Sequence, residues 1–173
     1  VVARRRVVHP VRDYLSSLTW DGTPRLDRML ATYFMAADTE YTRGISSRWM
    51  ISAVARIFEP GCQADCTLIL ESRQHGTGKS TGLEELAGKA WFSSTGLHIG
   101  DKDSYQNLRR KWIYELGELV GLRGRELHRY KNFLSERVSN YRASYGRRNK
   151  DVPRQCVFAG TTNEDEYLDD RTG

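Results

Sequence analysis

Along the chain, the spacing of apolar residues changes once. Through the first 60 positions they recur every three or four residues, the period of an amphipathic helix; afterwards they fall in short unbroken runs, as in buried strands. His9-Pro10 is expected to open the first helix, with Val11, Leu15 and Leu18 on its apolar face. Trp20-Asp21-Gly22-Thr23-Pro24 reads as a turn, and Pro24 as the start of a second helix carrying Leu26, Met29, Leu30, Tyr33 and Phe34. A third helix is expected from about Glu40 to Phe58, with Trp49, Met50, Ala53, Val54 and Ile57 at helical spacing, ended by Glu59-Pro60-Gly61. These stripes read as core.

Strand-like runs follow at residues 66–70 and 91–94, within 111–119, and at 155–160. Between them, Asp103 is expected to cap a helix reaching Arg110, and residues 121–140 read as mostly helical. The alternation predicts an α/β fold: three layers with a parallel central sheet (residues 61–173), the layout that P-loop folds share, behind a helical N-terminal region (residues 1–60).

At 173 residues the chain can bury one sizeable core, and 39% apolar with 28% charged residues suits a soluble globular protein. No apolar run approaches the roughly 20 residues of a membrane span, and none follows the N-terminus as in a signal peptide. The chain begins at Val1 rather than Met, so it is expected to be part of a longer protein. Cys62, Cys66 and Cys156 are too sparse for a zinc site and read as idle thiols of a reducing cytosol.

The candidate chemistry begins after the first strand-like run. Gly76-Thr77-Gly78-Lys79-Ser80-Thr81 stands between a strand and a helical pattern, the context a phosphate-binding loop needs. Glycines let successive N–H groups converge on phosphate oxygens, and the following helix adds the positive end of its dipole. Lys79 can reach the outer phosphates and Ser80 can offer its hydroxyl to Mg²⁺, with Gln74 and His75 completing the loop. One position departs from the pattern: where the first glycine is expected stands Arg73. Either Arg73 adopts that backbone conformation, or the loop is one residue longer and Ser72 takes the turn.

Two carboxylates, Glu115 and Glu118, follow the third strand-like run. In nucleotide hydrolases an acidic residue at the tip of the neighbouring strand holds the Mg²⁺ shell or orients attacking water. The last run delivers Thr161-Thr162-Asn163, where the polar side chain of Asn163 can hold the water or the terminal phosphate. Net charge is +5, and residues 121–150 carry nine Lys/Arg against two Glu. Within them residues 141–150 interleave arginine with tyrosine around a turn at Gly146. Arginine neutralises phosphate and tyrosine can stack on a base, which suits a single strand of nucleic acid; a solvated hairpin is the alternative.

Taken together, these blocks resemble the virulence-associated protein E family of phage and mobile-element proteins, which are similar to superfamily 3 helicases of the AAA+ class. The resemblance rests on His9-Pro10-Val11-Arg12-Asp13-Tyr14-Leu15, Trp20-Asp21-Gly22-Thr23-Pro24-Arg25-Leu26, Pro60-Gly61-Cys62, Gln74, Gly76-Thr77-Gly78-Lys79-Ser80, Lys102-Asp103, Trp112-Ile113-Tyr114-Glu115-Leu116-Gly117-Glu118-Leu119, Lys131, Tyr141-Arg142-Ala143-Ser144-Tyr145 and Gly160-Thr161-Thr162-Asn163. It implies an ATP- and Mg²⁺-dependent DNA helicase-like ATPase of bacterial cytoplasm, acting in replication of a phage or mobile element on single-stranded or forked DNA. It also implies a homo-oligomeric ring, such as a hexamer, often with a primase domain in the same polypeptide. Lys79 and Ser80 would be Walker A, Glu115 and Glu118 Walker B, and Asn163 the sensor. Lys131, Arg142, Tyr145, Arg147, Arg148 and Lys150 fall where related helicases contact DNA. A paired-arginine segment expected after Gly173 would supply a finger to a neighbouring subunit. Two rival readings stay open: a nucleic-acid-binding module whose ATP site is weak or serves only assembly, and a nucleotide-switched defence or signalling protein.

Overall fold

The structure, a computed structural model, describes residues 8–99, 101–117, 124–142 and 148–163. Three helices come first. α1 (Pro10–Ser17) starts where proline has no amide to lose and where His9 Nδ1 accepts from the Arg12 amide. α2 (Met29–Phe34) is short, and α3 (Glu40–Phe58) opens on a reciprocal cap between Thr39 and Thr42. Then follow β1 (Leu68–Glu71), α4 (Lys79–Ala87), β2 (Phe92–Ser93), α5 (Lys102–Asn107), β3 (Ile113–Gly117), α6 (Gly124–Ser135), β4 (Val138–Tyr141), β5 (Lys150–Pro153) and β6 (Val157–Thr162).

Four strands form one parallel sheet in the order β1-β6-β3-β2, while β4 and β5 pair antiparallel as a separate hairpin. The last strand in chain order, β6, therefore sits between β1 and β3. Strand alternation sorts the side chains. Leu68, Leu70, Ile113, Val157 and Ala159 face a cluster with Val11, Leu30, Trp49, Ile57 and Leu83 from α1 to α4. Tyr114, Leu116 and Phe158 face the other way, onto Leu97, Leu108 and Phe133. Helices thus cover both faces, as a parallel sheet requires. Two indoles tie helix to sheet: Trp49 Nε1 donates to the Phe158 carbonyl at 3.0 Å, and Trp112 Nε1 to the Ala53 carbonyl at 2.8 Å. Each large side chain buried this way contributes about 1.5–3 kcal/mol, so the layers themselves hold the strand ends in register.

Several local expectations are corrected. Pro24 does not open α2, because Asp21 accepts from the Thr23 amide and pairs through both oxygens with Arg25, holding residues 21–25 in a turn. The helix begins at Met29, and Leu26 and Tyr33 stay exposed. Leu18 falls past the end of α1 and is 57% exposed. Asp101, not Asp103, caps α5, which stops at Asn107 before the left-handed Arg110 (φ 63°). Residues 138–140, expected to be helical, belong to β4, whose side chains alternate exposed and buried. β3 runs on to Gly117, so Glu115 lies within the strand rather than at its tip.

Candidate functional site

Between β1 and α4 the chain makes a polar turn. Ser72 continues the pairing of β1 with β6 through its amide, and its hydroxyl accepts from the Gln74 amide at 3.2 Å. Ser72 therefore takes the turn. Left-handed conformations in the loop fall on Gly76 (φ 70°) and Gly78 (φ 80°), and Arg73 is not among the positive-φ residues. A Cβ at either glycine would meet nothing within 4 Å, so backbone conformation, not crowding, selects glycine there. The missing first glycine imposes no strain on Arg73.

Gly78 caps α4, and the first helical residues are Lys79 and Ser80. Lys79 Nζ donates to Asn163 Oδ1 at 2.8 Å and reaches Thr77 Oγ1 at 3.5 Å. Ser80 Oγ donates to Glu115 Oε1 at 2.6 Å, and Thr161 Oγ1 donates to the same oxygen at 2.6 Å. The alternation of β3 and β6 explains this meeting. Glu115 lies on the face of Ile113, and Thr161 on that of Val157 and Ala159, which is the side α4 covers. Glu115 is 3% exposed, and its Oε2 has no hydrogen-bond partner among the described residues. Asn163 Nδ2 lies 3.1 Å from His75 Nδ1.

These groups line an open cavity of about 770 Å³, bounded by residues 75–81, Ser94, Glu115, Gly117 and residues 161–163. Of the predicted site residues, the structure brings together His75, Gly76, Thr77, Gly78, Lys79, Ser80, Thr81, Glu115 and Asn163. Gln74 stands outside the lining, engaged with Ser72. Glu118 lies outside the described residues. Thr161 carries a contact that sequence reasoning did not assign to it. Its signal was available: it stands two residues after Ala159 and four after Val157, hence on the same face of one strand.

The nucleic-acid candidates lie elsewhere. Lys131 is an exposed residue of α6, and Arg142 and Arg148 are exposed beside the hairpin. Tyr141 pairs in register with Lys150, so Arg142, Arg148 and Lys150 share the end of β4–β5 at which the chain crosses from one strand to the other. Tyr145 and Arg147 lie outside the described residues. Tyr141 is not free to stack on a base, being buried against Tyr105 with near-parallel rings 6.2 Å apart. The three cysteines are free thiols, and burial pushes the Cys156 thiol above its usual range. Among the described residues, no three His, Cys, Asp or Glu side chains group to hold a metal, and no helix is long and apolar enough to cross a membrane.

With this geometry in view, known families can be compared. The virulence-associated protein E-like domain matches residues 15–173. The chain belongs to that family. Among solved structures it is similar to the apo C-terminal region of NrS-1, at 19% identity and a TM-score of 0.52, covering 87% of this chain and 36% of that one. A second form of that region gives 16% identity, a TM-score of 0.51, and coverage of 87% and 35%. This virulence-associated protein E-like chain therefore shares a fold with NrS-1 over about a third of that region's length. No curated protein matches it in sequence.

Proposed function

We propose that the cavity binds ATP with Mg²⁺ and hydrolyses the terminal phosphoanhydride, within a P-loop fold of AAA+ type. The observation that carries this reading is the meeting of Lys79, Ser80, Glu115 and Asn163 around one cavity at the start of α4. The strand order supports it: β6 between β1 and β3 sets Asn163 beside Lys79 and Glu115 beside Ser80. The absence of strain at Arg73 removes the main objection raised by the sequence.

The residues fit the groups they would hold. Loop N–H groups and the α4 N-terminus suit phosphate, and Lys79 suits its outer oxygens. Ser80 and Glu115 offer hard oxygen donors for Mg²⁺, and a buried carboxylate oxygen without a partner is the kind of atom that a cation or its water satisfies. When bound, the cation neutralises charge developing on the phosphates. The chain's own part is positional. Thr161 and Ser80 fix Glu115, and Asn163 fixes Lys79. Glu118 is the second carboxylate of the reading.

The wider proposal is a DNA-directed ATPase, helicase-like and ring-forming, in the replication of a phage or mobile element in the bacterial cytoplasm. Lys131 and the hairpin cations would contact DNA, and a primase domain would lie elsewhere in the polypeptide. The test is phosphate release by the full-length protein with Mg²⁺, with and without single-stranded DNA. Glu115→Gln should retain nucleotide binding while turnover collapses, since the lost interaction belongs mainly to the transition state. The same measurement on Glu118→Gln apportions the two carboxylates. Wild-type turnover in Glu115→Gln would refute the reading.

A further inference from the structure

This inference rests on the nucleotide reading and concerns the regulation of the same site. Lys79 has only protons to give, so the Asn163 atom 2.8 Å from Nζ is its carbonyl oxygen. The amide nitrogen is thereby turned toward His75, 3.1 Å from Nδ1. An amide NH₂ only donates, so this contact requires Nδ1 as the acceptor, which the ring supplies when its proton is on Nε2. One lysine thus dictates the orientation of an amide and the tautomer of a histidine.

We propose that His75 is a positioning residue for Asn163: its neutral ring fixes the amide beside Lys79, and a protonated ring releases it. His75 directly precedes Gly76 on the loop and lines the same cavity. Among the described residues, the charged groups sharing that cavity are Lys79 from α4 and Glu115 from β3, while β6 contributes the uncharged Thr161 and Thr162 and leads into Asn163. Arg73 stands two residues away on the same loop. A protonated His75 would set two donors against each other. It would also add a second cation to the lysine's cavity. A terminal phosphate reverses both penalties, accepting from the ring and from the freed amide nitrogen.

The sign follows. Phosphate favours the charged ring and the Asn163 contact favours the neutral one, so nucleotide binding takes up a proton and affinity rises as pH falls.

The test uses the full-length protein and a fluorescent methylanthraniloyl derivative of a non-hydrolysable ATP analogue with Mg²⁺, titrated from about pH 8.5 to 5.5, the span in which histidine side chains generally change charge. His75→Gln keeps an acceptor for Asn163 but cannot titrate; His75→Ala removes both. The analogue's own phosphate protonation affects all three proteins alike, so the comparison is between variants. Wild-type affinity should rise more steeply toward low pH than that of either variant, by up to about tenfold per pH unit for one linked proton. At high pH the ATPase kcat of His75→Ala should fall by about fivefold, the worth of one ordinary hydrogen bond, with KM changing less, and His75→Gln should restore it. Parallel pH profiles, or an unchanged kcat in His75→Ala, would overturn the proposal and leave the nucleotide reading standing. Wild-type protein that fails to bind the analogue at every pH would overturn both.

Discussion

Two buried charged groups, on opposite faces of the sheet, are treated very differently. The Arg154 side chain is 1% exposed, and its arms are engaged: it donates to the Phe133 carbonyl, to Ser139 Oγ and to Glu136, and it lies over the Phe133 and Phe158 rings at 4.6 and 5.6 Å. Glu115 is equally buried, yet two hydroxyls crowd one of its oxygens while the other has no partner among the described residues. A fully satisfied buried charge is a structural knot; a half-satisfied one is the exception among buried polar groups, and the nucleotide reading accounts for it at Glu115. Arg56 lies between these cases, with an unpartnered Nε but with donors to the Cys156 and Ala64 carbonyls. An unused guanidinium N–H costs less than an unused carboxylate oxygen, because Arg56 still spreads its charge over the other donors.

The comparison breaks most visibly on the functional side. Lys79→Ala should lower ATP turnover by about a hundredfold to a thousandfold, the cost of removing one donor to developing charge, while the melting temperature scarcely moves. Arg154→Ala should do the reverse. It orphans a buried carbonyl and one end of Glu136, costing about 3 kcal/mol, or about 6–12 °C in Tm by calorimetry. If instead Arg154→Ala melts like wild type, satisfaction of hydrogen bonds is no guide to structural weight. Thr161→Val removes one of two donors to Glu115 without changing shape. Stability should fall by about 1.5 kcal/mol in denaturant titration, and turnover by about tenfold. Unchanged turnover would mean that Ser80 alone holds the carboxylate.

The smallest effect belongs to exposed charge. Replacing Arg142 and Arg148 together with Ala should flatten the slope of log K against log salt for single-stranded DNA by about 1.4, near 0.7 per phosphate contact. It should do so for all sequences alike, because phosphates carry no base information. An unchanged slope would make the hairpin a solvated one and move the DNA path toward Lys131.

What the sequence disclosed, and what it hid, follows the range of the interactions. The loop at residues 74–81 was readable because its chemistry is local: glycine conformation, helix start and lysine lie within a few residues. The third helix was readable from its period and from the stop at Glu59-Pro60-Gly61. By contrast, Asp21–Arg25 overrode the helix signal of Pro24, a side-chain pairing that a proline-based rule does not weigh. Arg154 drew no reading from the sequence, because only the fold brings Phe133, Glu136 and Ser139 around it. Glu115 was expected at a strand tip, whereas β3 continues to Gly117, because hydrophobic runs do not fix where a ladder ends.

The position of β6 also bears on how the molecule is made. Synthesis delivers β1, β2 and β3 first, yet β1 and β3 do not touch; each waits with an unpaired edge for a strand that emerges later from the ribosome. Leu68 meets Ala159 and Ile113 meets Val157 only when that strand arrives, a non-local closure of the slow kind. Until then, two apolar edges are open to mispairing with other chains. The strand that closes them also carries Thr161 to its partner and leads directly into Asn163, so a nascent chain acquires its polar cavity in the same event that seals its sheet.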